Sequence, residues 1–225
     1  MGTNTTTRDE ILGRLRDASR GELPKRPALP PLVELSWSRE HLIEKFIENL
    51  VEQTAVVHRC KDYVTAADTL TEIATLHRLH KVLASTDGII ETLNLRAWAE
   101  KAGVNLFFAR DFSDRDSYKD FVFDGAEAGI TGVDYAIAES GTLCIVHDKN
   151  QPRLVSLAPI THIAVVPVER IYPVYEQVIE NVFGKDRPPH SHVTFITGPS
   201  MTADIQGVPF KGMHGPKRLI VILVG

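Results

Sequence analysis

The chain has 225 residues, 43% of them hydrophobic and 24% charged, enough to bury one core without disulfides or a structural metal. Its 25 Lys and Arg stand against 29 Asp and Glu, a formal net charge of −4, which offers no broad attraction to phosphate backbones and argues against non-specific nucleic-acid binding. No window approaches the roughly 18 apolar residues of a membrane span, and the opening MGTNTTTRDE lacks the basic and apolar regions of an export signal, so the chain reads as cytoplasmic.

Residues 1–36 read as an arm: a short amphipathic stretch with Ile11, Leu12 and Leu15, then Pro24, Pro27, Pro30 and Pro31, each of which fixes its own φ and disfavours helix in the residue before it. Such an arm is either a disordered tail or a docking element for a partner or a second copy of the chain. Residues 37–225 then form an α/β domain, because the hydrophobic period switches repeatedly between helical and extended.

In chain order, Leu42, Ile43, Phe46, Ile47, Leu50 and Val51 make one helical stripe, with Ser38 placed to cap it. A short strand at 54–58 precedes a helix at 66–80 whose Thr65–Asp68 start fits a capping box. A strand at 81–85, a helix at 95–101 ending near Gly103, a strand at 104–109 and a helix at 114–123 follow. Two extended runs, 133–137 and 142–147, flank a reversal at 138–141, so antiparallel pairing could make the sheet mixed. A strand at 162–166, a helix with the stripe Ile171, Val174, Tyr175, Val178, Ile179, Val182 and Phe183, and strands at 193–197 and 218–224 complete the order.

Ligands of open α/β sheets gather at the carboxyl ends of the strands, and three segments carry residues suited to such a cleft. The first, residues 129–142, places Asp134 and Glu139 in an apolar run, where a carboxylate must be paired or used. Glu139 could serve as nucleophile or base beside the free amides of the turn, or simply satisfy that turn together with Thr142. The second, residues 197–205, reads as a helix start in which Ser200 and Thr202 cap and Asp204 orients a hydroxyl or base, an arrangement that favours an anion. The third holds His214 between glycines in residues 211–218, as a donor to a carboxylate, a proton shuttle or an ordinary hydrogen-bonding group.

Cys60 and Cys144 are the only thiols, short of the four that usually hold an iron–sulfur cluster, and both read as small buried hydrophobes. The pairs His77/His80 and His190/His192 lack a third ligand in sequence, so no metal site is expected. Gly125, Gly129 and Gly132 have the wrong spacing for a dinucleotide fingerprint.

Four segments in order, GITGVDYAIAESGTL (129–143), the run from Arg153 through SLAP (156–159) to HIAVV (162–166), ITGPSMTADI (196–205) and GMHGP (212–216), resemble the lactate-utilization protein C family, the single-domain LUD proteins of YkgG type. The resemblance is close from about Gly129 to Gly225. It implies a fold like the NagB/RpiA/CoA-transferase group, a three-layer-like α/β sandwich around a largely parallel sheet. It further implies a non-cluster subunit of a bacterial system oxidising L-lactate to pyruvate, with no cofactor of its own and two iron–sulfur subunits as partners. By motif match, Glu139 and His214 are the catalytic candidates. Asp134, Thr142, Ser200, Thr202 and Asp204 are the ligand-binding candidates, for a small carboxylate. Ser140 stands where the family often has Thr and keeps the hydroxyl. Two alternatives stay open: an acyl-, CoA- or sugar-phosphate enzyme using Glu139, by fold-level analogy, and a scaffold without chemistry.

Overall fold

A computed structural model describes residues 7–18, 37–184, 189–203 and 209–225. The chain divides into two units, Met1–Glu34 and Leu35–Gly225. In the first, α1 (Thr7–Asp17) is a helix with no buried residue; the prolines of the expected connector lie outside the described residues.

The second unit runs α2 (Arg39–Glu52), β1 (Val56–Cys60), α3 (Tyr63–His77), β2 (Lys81–Ala84), α4 (Gly88–Thr92), α5 (Leu95–Ala102), β3 (Asn105–Phe108), α6 (Arg115–Asp120), β4 (Ala128–Gly132), β5 (Tyr135–Ile137), β6 (Thr142–Val146), α7 (Leu154–Leu157), β7 (Thr161–Pro167), β8 (Ile171–Tyr172), α8 (Tyr175–Phe183), β9 (Val193–Ile196), β10 (Met201–Ala203), β11 (Pro209–Lys211) and β12 (Arg218–Val224). Six strands form a wholly parallel sheet in the order β1-β12-β7-β4-β2-β3. Its central strands β4 and β7 are buried along their whole length, as parallel strands covered on both faces must be.

Residues at alternate positions of these strands serve two cores. Ile163, Val165, Ile220 and Ile222 face α3, α4 and α5 through Leu70, Ile73, Ile90 and Trp98. Ala164, Val166, Leu219 and Val221 face the other way, onto Leu42, Phe46 and Leu50 of α2 and onto Ala136 and Leu143. Those last two belong to a second, four-stranded sheet, β8-β5-β6-β9. Its outer face, Ile137 and Cys144, is covered by Val178 and Val182 of α8. Antiparallel pairing therefore does occur at 135–146, but in a sheet of its own rather than in the main one. The handover takes one residue: the Val133 amide still bonds Val165 of β7 (3.1 Å), while the Asp134 amide bonds Cys144 of β6 (3.1 Å).

Several local readings are corrected. The helix expected at 66–80 starts earlier, because Asp62 and not a Thr65 box caps it, its Oδ1 accepting from the Thr65 amide and hydroxyl at 2.7 Å each. Ile171 lies on strand β8, so α8 begins only at Tyr175. Strand β4 is where the sequence shows a Gly-containing loop. Both its glycines are demanded by close approach, since a Cβ on Gly129 would lie 1.8 Å from the Val155 carbonyl oxygen and one on Gly132 2.2 Å from the Asp87 carboxylate. The segment expected to start a helix at Ser200 instead forms the hairpin β10–β11, with Thr202 opposite Phe210.

Candidate functional site

The segments singled out in sequence do not all converge. Asp134 is partly buried beside the handover between the sheets. Its Oδ2 accepts from the Val146 amide (2.8 Å), and Arg170 Nη1 lies 3.8 Å from Oδ1. Burial raises its pKa, against the lowering pull of the Val146 amide and Arg170. Glu139 is exposed at the β5–β6 turn, and its Oε1 accepts from the Tyr175 amide at 2.7 Å. It thus holds the first turn of α8, where a negative charge complements the free amides. The turn itself is pinned to α2 by Asn49 Nδ2, which donates to the Ala138 carbonyl at 2.7 Å. Gly141 adopts φ +62, and a Cβ there would lie 2.7 Å from the Leu50 amide nitrogen, so this turn needs glycine on both counts.

Ser200 and His214 do come together. The Ser200 amide donates to Pro216 and its carbonyl accepts from Gly212, both at 2.9 Å, which stitches the β9–β10 turn to the histidine loop. Both residues line one cavity of about 200 Å³, together with Ser156, His162, Thr194 and Thr197. Thr142 supports this wall from behind: its hydroxyl lies 3.0 Å from that of Thr197 and 2.8 Å from that of Ser140. Thr202 lies on β10 and does not line the cavity. Asp204 is outside the described residues.

The cavity lies between the two sheets, at the amino ends of β7 and β12 (His162, Leu219) and under β9, the opposite rim from the one expected. At the carboxyl ends of β2 and β4 the polar groups are instead tied to one another. Asp87 accepts from the Ser85 hydroxyl (2.6 Å), the Ile89, Ile90 and Gly132 amides (3.0, 3.3 and 3.1 Å) and Gln151 Nε2 (3.2 Å).

Sequence reasoning missed a buried histidine in the cavity wall. His162 is 1% exposed on β7. Its Nε2 lies 2.8 Å from the Thr131 hydroxyl, and its Nδ1 has no partner. Burial pushes the imidazole down to about 3, so the ring is neutral. His147 stands close by, with Nδ1 3.0 Å from the Gln151 carbonyl and Nε2 2.7 Å from the Thr194 hydroxyl. Burial lowers its pKa as well. The available signal was an imidazole beside Thr161 at the start of the apolar run Ile163–Val166, where a polar ring must find partners.

A model of the LUD domain matches residues 43–224, a span holding both sheets and the cavity. The chain belongs to the LUD domain family. A lactate utilization protein C of Deinococcus radiodurans is 30% identical over the whole of both chains. One from Macrococcus caseolyticus is 34% identical over 64% of this chain and 71% of its own. Among solved structures, a DUF162 family protein from Deinococcus radiodurans superposes with a TM-score of 0.57 at 24% identity, covering 84% of this chain and 99% of that one, a likeness of fold. Within the segment GITGVDYAIAESGT (129–142), the structure thus assigns packing to Gly129 and Gly132, a partly exposed ion pair to Asp134, a helix cap to Glu139 and a chain of hydroxyl contacts to Ser140 and Thr142.

Proposed function

We propose that this LUD protein is a cytoplasmic, cluster-free subunit of a lactate-utilization system that supports oxidation of L-lactate to pyruvate, with cysteine-rich iron–sulfur subunits as its partners. The observation that carries the reading is the full-length relationship to a protein named lactate utilization protein C. The thiols agree with a division of labour. Cys60 and Cys144 are both buried, on different sheets, so the two thiols do not form one site, and burial pushes the Cys144 thiol up to about 12, away from the thiolate a metal would need. Within this role Ser200 and His214 face the cavity, and Thr142 supports its wall.

The alternative of a CoA, acyl or sugar-phosphate enzyme with Glu139 as nucleophile is not favoured, since that carboxylate is engaged by the Tyr175 amide. The test is genetic and biochemical together. A deletion strain is expected to lose growth on L-lactate, and the tagged protein to co-purify with cysteine-rich subunits when these are co-expressed. Undiminished growth, or a protein that stays alone, overturns the reading.

A further inference from the structure

One strand beyond the Asp87 hub, at the carboxyl ends of β2 and β3, the charged side chains are not tied to one another. The two strands are adjacent and parallel, but the connections leaving them take opposite faces of the sheet. That from β2 passes through Ile89, Ile90, Leu95 and Trp98, on the side of Val82 and Ala84. That from β3 passes through Phe112, Tyr118 and Phe121, on the side of Leu83 and Phe107. Strands that part in this way open a crevice outside their carboxyl ends, the usual ligand position of an open α/β sheet.

Two adjoining cavities of about 160 Å³ each lie in that crevice and share Thr86, Phe108 and Arg110 as lining. Arg96, Ile90 and Leu95 also line the first, and Lys149 the second. Phe108, 5% exposed at the end of β3, seats both arginines: the guanidinium carbons of Arg96 and Arg110 lie 4.9 and 5.2 Å from its ring centroid. Stacking uses the flat face of a guanidinium and leaves the N–H donors in its plane available. Among the described residues no carboxylate lies within ion-pair distance of Arg96, Arg110 or Lys149, and no hydrogen bond engages their charged groups. The acids nearest in sequence are spent on backbone amides, Asp111 accepting from Phe108 (2.8 Å) and Asp148 from Asn150 and Gln151 (2.8 and 2.9 Å). Glu91 is the one acidic residue in the lining.

Three cations against one carboxylate leave a positive surplus that matches a phosphate monoester, which carries about −1.5 to −2 near neutral pH, better than a monocarboxylate. Together the cavities reach the roughly 300 Å³ at which small-molecule sites begin, so an organic group fits beside the phosphate.

We propose that this crevice binds an organic phosphate monoester, its phosphate held at Arg110 between Arg96 and Lys149 and its organic part laid along Ile90 and Leu95. The site shares no lining residue with the inter-sheet cavity and does not depend on the lactate reading.

Titration calorimetry on the full chain at low salt, with AMP, glycerol 3-phosphate and 3-phosphoglycerate as probes, tests this. At least one of these esters is expected to bind saturably, one per chain, and to weaken as salt is added. Inorganic phosphate, which leaves the apolar part empty, and L-lactate, a monoanion, are each expected to bind about ten-fold or more weakly than the best ester. Arg96→Gln and Arg110→Gln are each expected to weaken that ester about ten-fold or more. Arg110→Lys keeps the charge and most of the stem over Phe108 but not the fork, and is expected to cost about three-fold, as is Lys149→Gln. An unchanged urea midpoint in these last two variants separates lost binding from lost folding. No saturable binding of any of the three esters, binding indifferent to both Arg110→Lys and Lys149→Gln, or inorganic phosphate or L-lactate binding as tightly as the best ester overturns the proposal.

Discussion

The two ends of the parallel sheet use polar side chains in opposite ways. At the carboxyl ends of β2 and β4, Asp87 collects five donors from a hydroxyl, three backbone amides and a glutamine, and every one of those bonds serves to fix a loop or start a helix. At the amino ends of β7 and β12, His162 keeps a ring nitrogen with nothing to bond. Carboxylates at the customary ligand rim of such a sheet are therefore not by themselves a sign of chemistry. Unused hydrogen-bonding capacity beside a cavity is the more telling signal, because burying an unpaired polar group costs stability that packing alone does not return.

Removing the hub gives the largest expected effect. Asp87→Ala leaves the Gly132 amide without its partner, removes one of the two acceptors of Gln151 Nε2 and uncaps α4, and should lower stability by about 2–4 kcal/mol, read as a drop in the urea midpoint. The same substitution should leave the His162 nitrogen resonances in place if the two rims are independent.

The second effect is pH-dependent and belongs to the other rim. Folded His162 stays neutral down to about pH 3, whereas an unfolded histidine takes up a proton below about 6.5. The unfolded chain binds more protons in that window, so stability should fall as pH drops from about 6.5 toward about 3, by up to about 1.4 kcal/mol per pH unit for this group. His147, also shifted down, adds in the same direction. Urea midpoints measured across this range should show a flatter slope in His162→Gln; an unchanged slope would mean the ring is not held neutral.

The smallest effect concerns the carboxylate that sequence marked as a nucleophile. Glu139→Gln can still accept from the Tyr175 amide and loses only the charge at the start of α8, so it should cost about 0.5–1 kcal/mol and leave growth on L-lactate unchanged. Lost growth with a normally folded variant would restore a chemical role to Glu139.

Much of the fold was legible because its signals are local. The Leu42 to Leu50 stripe, the apolar runs of β2, β7 and β12 and the reversal at 138–141 all form the elements expected. Strand β4 was hidden by Gly129 and Gly132, whose reason for being glycine is a carbonyl of α7 and a carboxylate of α4's cap, both distant in sequence. The existence of a second sheet was equally hidden, since strand order is set by partners and not by pattern. At the site, motif order pointed to Ser200 and His214, which share a cavity, and also to Asp134 and Glu139, which lie outside its lining. His162 sat in plain view within a quoted motif, but a strand histidine reads as core until the count of its partners is known.

The one-residue handover at Val133 and Asp134 gives the cavity a stiff hinge. Floor and roof are held there by consecutive amides bonded to different sheets, with no slack for the layers to slide. On the opposite side the roof ends in β9, which pairs only with β6 among the described strands and carries Thr194. The turn that follows β9 is nonetheless tied by Ser200 to Pro216 and Gly212, in the loop that leads into β12, so the two layers are clamped at both margins and the gap between them is a fixed dimension of the fold.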